Sequence, residues 1–185
     1  GDRDNKRQKK LDFLDGFYAI LFEGKMSGVD ESHLKLTILE LYAKFGITTH
    51  ESTHGNAAPT LGDLLEILQK YTKEHPDPVR QQCCRALATH LEAALQGPIG
   101  YLNGKSNADM SSSVICFDLK SLDEHYFPIF MYIVLDFSEQ RMYQNPRRHK
   151  VLYIDEAWYL LEKDTTARAL SQMNRHTRHV RMGID

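Results

Sequence analysis

An α/β chain carrying an all-helical subdomain is what this sequence predicts, and three observations predict it. The first hundred residues hold four apolar patterns at helical spacing, each bounded by capping or breaking residues. Beyond Gly97 the pattern changes to two short runs, SVICFDL (113–119) and VLYI (151–154), neither of which alternates, as expected for strands buried on both faces. A long apolar helix separates those runs, and strand, crossover helix and strand make the unit of a parallel sheet. The predicted division is a helical subdomain over residues 10–97 and a partial α/β core over 98–185.

The elements follow in order. Leu11, Leu14, Phe17, Tyr18, Leu21 and Phe22 recur at helical spacing, and Gly24 marks the exit of a first helix. Asp30 is a candidate N-cap for a second helix, with Leu34, Ile38, Leu41, Tyr42 and Phe45 on one face and Gly46 as its left-handed stop. Thr60 with Asp63 three residues later reads as a capping box before Leu61, Leu64, Leu65, Leu68 and Tyr71, and HPDP (75–78) ends that third helix. Pro78 sits at the first position of a fourth, which turns Val79, Cys83, Leu87, Leu91 and Ala94 inward and ends at Gly97. After the 113–119 run, Ser121 with Glu124 caps the segment containing Phe127, Phe130, Met131, Val134, Leu135 and Phe137. A helix around residues 167–176 and the beginning of a strand at 181–185 complete the expectation.

Composition narrows the function classes. A formal net charge of −2 gives no overall basic field for nucleic acid, although Arg168 to Arg181 is locally basic. Three cysteines, two of them adjacent in a helical pattern, suggest neither a disulfide framework nor a zinc knuckle, and a reducing cytosol fits them best. No uninterrupted apolar run approaches the roughly 18 residues of a membrane span, so a soluble chain is expected.

The chemistry concentrates at VLYIDEAWYLLEKD (151–164). An unpaired buried carboxylate is too costly to keep, so Asp155 and Glu156 need a partner, a cleft or water. Parallel sheets bind ligands at the C-terminal ends of their strands, which is where these acids fall. In nucleotide hydrolysis such an aspartate holds magnesium through water while the neighbouring glutamate orients and deprotonates the attacking water. The plainer alternative is a strand ending in solvated acids at a helix N-terminus. Arg175 and Arg178, three apart on one helix face, suit phosphate contact, and cations near a helix C-terminus are also favourable in themselves.

HESTH (50–54) matches the H-E-x-x-H zinc pattern, in which His50 and His54 would hold the metal and Glu51 act as base. It follows the Gly46 stop and precedes Gly55 and Asn56, so it reads as a loop, with Glu66 and Glu74 only distant third ligands. A zinc peptidase is carried as a minor alternative.

In order and spacing, SVICFDLKSLDE, the long apolar helix, HKVLYIDEAWYLLEKD and SQMNRHTRHVRMG resemble the motor domain of the type IV secretion and conjugative-transfer ATPases. These are the TraC-like members of the HerA and FtsK group of P-loop ATPases, and PTLGDLLEIL (59–68) resembles their helical insertion. The resemblance implies a partial RecA-like parallel sheet, ATP and Mg2+ as cofactors, Asp155 and Glu156 as the Walker B acids, and Arg175 and Arg178 on the arginine-bearing helix. It further implies a homohexamer working with other secretion components on a DNA or protein substrate, cytoplasmic and peripheral at the inner face of a bacterial membrane. A G-x-x-x-x-G-K-[ST] phosphate loop is missing: Gly104-Lys105-Ser106 has Ile99 where the first glycine belongs. The expectation is therefore a fragment beginning after its P-loop, inactive alone. The competing reading is a noncatalytic helical module that docks a secretion partner.

Overall fold

The computed structural model describes residues 5–104, 112–144, 150–155, 158–161, 164, 166–168, 171 and 182–184. Among the described residues the principal elements run in the order α1 (Asn5–Leu21), α2 (Gly28–Lys44), α3 (Leu61–Glu74), α4 (Pro78–Leu95), α5 (Phe127–Gln144), β1 (Lys150–Leu152), α6 (Trp158–Leu161) and β2 (Met182–Ile184). The chain divides into two compact units, one of Gly1–Asp15 with Phe22–Ser112 and the other of Gly16–Leu21 with Ser113–Asp185.

In the first unit α2, α3 and α4 pack on one another. Helix α2 begins with a reciprocal cap: Ser27 Oγ accepts the Asp30 N–H at 3.3 Å, and the Asp30 carboxylate accepts the Ser27 N–H at 2.9 Å. Ser27, not Asp30, is thus the N-cap, and Asp30 is the acidic third residue of the box. Gly46 ends the helix at φ +73°, a conformation that suits glycine, and its carbonyl accepts Asn56 Nδ2 at 2.9 Å. Thr60 and Asp63 form the same kind of box at α3, while Asp77 caps α4 with Pro78 in its first turn. Leu34, Ile38 and Leu41 from α2 are buried with Leu64, Ile67 and Leu68 from α3 and Leu87 and Leu91 from α4. Each such leucine or isoleucine contributes about 1.5–3 kcal/mol by leaving water. A 3-10 turn at Pro98–Leu102 adds the fully buried Ile99, and Asn103 Oδ1 accepts the Gly62 N–H at 2.7 Å.

The second unit corrects the predicted class. Its described residues form no α/β parallel sheet: the chain is mainly helical, and its β pairing is a parallel ladder of three rungs, Lys150 to Met182, Val151 to Gly183 and Leu152 to Ile184. The 113–119 run is irregular, with Val114 81% exposed and Cys116 also exposed, and it is not the buried strand that its β-branched composition predicts. Nor is 151–154 buried on both faces, since Val151 is 54% and Tyr153 75% exposed. The physical reason is that a strand is stabilised by its neighbours, and three rungs cover one edge of a short segment only.

Helix α5 carries the apolar content of this unit, with Ile129, Met131 and Leu135 buried and Phe137 edge-on to Phe117 at 5.6 Å. The chain enters it through a turn on Asp123, whose carboxylate accepts the His125 N–H at 2.9 Å and whose carbonyl accepts the Tyr126 N–H at 2.9 Å. That turn stands where a Ser121 cap is expected, and α5 begins at Phe127 with Pro128 in its first turn. Asp164, Thr166, Ala167, Arg168 and Ser171 are helical. None of the described helices is long and apolar enough to cross a membrane.

Candidate functional site

Two residues, Tyr153 and Ile154, separate the end of β1 from Asp155, which lies exposed in a turn just before α6. Because β1 and β2 run parallel, both strands end toward the same side, and Asp155 follows the end of one of them. A carboxylate there is a hard oxygen donor open to water, the type of group that magnesium retains together with several of its own waters. Trp158 opens α6 at 50% exposure. Glu156, Arg175 and Arg178, the other candidates from the sequence, lie outside the described residues.

The His-Glu-x-x-His segment does not lie on an α-helix. Glu51–Thr53 forms a single 3-10 turn, knitted by threonines 48 and 53. Thr53 Oγ1 accepts the Thr48 N–H at 2.9 Å and donates to the His50 carbonyl at 2.6 Å. His54 Nε2 stands 3.0 Å from the Thr48 carbonyl, which fixes that nitrogen as the protonated one. Among the described residues no three His, Cys, Asp or Glu side chains gather closely enough to hold a metal ion.

A polar centre that the sequence reading missed lies inside the helical unit. Arg80 of α4, 8% exposed, donates from its guanidinium to Glu40 of α2 at 2.8 Å and to Thr37 Oγ1 at 3.2 Å. Tyr71 of α3 donates its hydroxyl to the same Glu40 oxygen at 2.8 Å, and its ring lies 5.0 Å from the guanidinium carbon. Burial pushes the Glu40 carboxyl upward, but the bonds from Arg80 and Tyr71 outweigh it and hold its pKa below the ordinary value. The signal in the sequence is an arginine at an inward position of α4, and its partner lies 40 residues away.

The cysteines divide by environment. Burial, aided by a hydrogen bond to Asp30, pushes the Cys83 thiol up to about 11, and burial also raises Cys84. Neither is poised as a nucleophile. Cys116, by contrast, is exposed.

Comparison with known proteins gives a fold. No protein-family model matches the sequence, and no curated protein matches it either. Among solved structures, one fold spans nearly the whole chain. It is the structure of VirB4 of Thermoanaerobacter pseudethanolicus, matched with a TM-score of 0.79 and 23% sequence identity over 94% of this chain. The chain spans 66% of the length of that VirB4 chain. At this identity the likeness is one of fold.

Proposed function

We propose that this chain belongs to an ATP-hydrolysing motor that powers type IV secretion or conjugative transfer of DNA or protein. The observation that carries the reading is the VirB4 fold likeness over 94% of the chain, which agrees with the order of motifs from residue 113 to residue 183. The exposed carboxylate of Asp155 after β1 fits a magnesium ligand held through water. When bound, Mg2+ with ATP supplies the charge neutralisation that phosphoryl transfer needs. Asp155 would hold the ion's water shell, and Glu156 would orient the attacking water and take its proton. Arg175 and Arg178 would reach the γ-phosphate of a neighbouring subunit in a homohexamer that meets other secretion components at the inner face of the membrane. The 185 residues contain no G-x-x-x-x-G-K-[ST], so in this reading other polypeptide supplies the phosphate cradle.

The test is steady-state ATPase activity of the full-length gene product, measured with magnesium and with excess EDTA. Magnesium-dependent turnover that is lost in Glu156→Gln supports the reading. Full turnover in that variant removes Glu156 from the role, and absence of any turnover in a folded, nucleotide-bound parent overturns the motor reading.

A further inference from the structure

We propose that the His75 imidazole is a latch on the corner between α3 and α4 that opens when it takes up a proton. The corner reads His75-Pro76-Asp77-Pro78, and because both prolines lack an N–H, Asp77 carries the single backbone donor among residues 76–78. That donor is spent on the ring: Asp77 N–H reaches His75 Nδ1 at 3.1 Å. His75 makes two further bonds here, its N–H to the Tyr71 carbonyl at 3.3 Å and its carbonyl from Gln81 Nε2 at 2.6 Å. Through its backbone and ring together it clasps the end of α3 to the start of α4.

Of these three bonds only the one to the ring depends on protonation. A backbone N–H can be accepted only by an unprotonated imidazole nitrogen. When a proton from water occupies the Nδ1 lone pair, two N–H groups face each other and the bond is lost. The Asp77 amide must then turn to solvent, and Asp77 is the N-cap of α4, with its carboxylate accepting the Val79 N–H at 2.9 Å. Histidine is the side chain suited to such a change in mild acid.

Charged and aromatic groups from three helices surround the latch. The His75 ring lies edge-on to Tyr71 of α3 at 5.3 Å, and Glu74 precedes it. From α2 it faces Glu40. From α4 come Asp77 and Arg80, the latter paired to Glu40. Protonation exchanges bonds at the corner, beside the Glu40–Arg80 pair.

Amide hydrogen exchange and NMR titration of the 185-residue chain test this between pH 7.5 and 5.5. The Asp77 amide should lose about three- to tenfold in protection factor, the equivalent of one backbone hydrogen bond, with the midpoint of the His75 ring titration. His75→Asn keeps an acceptor oxygen two residues before the same N–H but does not titrate, so its Asp77 protection should not change with pH. Constant Asp77 protection in the wild-type chain overturns the latch, as does an equal pH dependence in His75→Asn. Should that variant fail to fold, the wild-type midpoints decide alone: an Asp77 amide that moves apart from the His75 ring refutes the coupling.

Discussion

Arg80 and Glu40 meet at 2.8 Å across the α4–α2 interface, but they do not share one environment: the arginine side chain is 10% exposed and the glutamate 43%. The pair is consequently asymmetric. Removing Glu40 leaves a largely buried guanidinium without its carboxylate, whereas removing Arg80 leaves a carboxylate that can turn outward. Glu40→Ala should cost about 2–3 kcal/mol and Arg80→Met about 1 kcal/mol, both read from urea unfolding. Equal costs, or a larger one for Arg80→Met, would show that packing of the arginine stem outweighs its charge.

The same pair sets a pH dependence. Glu40 has its folded pKa below the unfolded value, so the folded chain takes up that proton later than the unfolded chain as pH falls. Stability from Glu40 is then complete above the ordinary glutamate range near pH 4.3 and is lost as pH falls through the folded pKa. Asp63 moves in the same direction through its cap on Thr60, and so does Asp30, where the Ser27 bonds outweigh burial. Unfolding midpoints should fall below about pH 5, and Glu40→Gln should flatten that acid limb without moving the neutral plateau's slope. An acid limb unchanged in Glu40→Gln would assign it to the other carboxylates.

Gly16 gives a third test, in the second unit. A Cβ at Gly16 would collide with the Tyr132 hydroxyl of α5, so the missing side chain allows that close approach. Alanine gains about 1 kcal/mol of helix propensity over glycine, and overpacking costs about 1–3 kcal/mol. The clash should win, giving a net loss in thermal stability for Gly16→Ala. Tyr132→Phe removes the nearest colliding atom, so a double-mutant cycle should recover part of that loss.

What could be read in advance was local. Thr60 with Asp63, Pro78 and Gly46 act through neighbours a few residues away, and each stands in the structure where its chemistry predicts. Asp30 was misplaced by one role because Ser27-x-x-Asp30 is also a box and the earlier residue takes the cap. The parallel sheet failed because a β-branched run states a preference that only partner strands can realise, and Val114 and Val151 remain in water. The Glu40–Arg80 pair was invisible for the same kind of reason: its partners meet only once α2 and α4 have packed. For the proposed catalytic set, Asp155 is placed in a turn after β1, while Glu156, Arg175 and Arg178 rest on sequence resemblance.

The 185-residue chain alone should bind ATP very weakly and turn over none, since phosphate positioning supplies most of the catalysis in phosphoryl transfer. In the full-length protein, Glu156→Gln should retain nucleotide binding and lose about 10²- to 10⁴-fold in turnover. Steady hydrolysis by the isolated chain, abolished by a substitution within it, would refute an external phosphate cradle.

The arginines separate a motor assembled as a ring from one whose sites are self-contained. If each nucleotide of the proposed hexamer lies at a subunit boundary, a cation beyond the Asp155–Glu156 pair can reach the γ-phosphate held by the neighbour. Such a cation acts on charge that builds in the transition state, and arginine fingers contribute about 10³- to 10⁵-fold in rate. Arg175→Ala or Arg178→Ala in the full-length protein should then bind ATP but lose hydrolysis. Mixing that variant with Glu156→Gln protein should restore part of the activity, because some boundaries would join one intact half-site from each subunit. An arginine serving only its own helix, by capping or by an internal ion pair, predicts instead a lower melting temperature and no recovery in freely exchanging mixed oligomers.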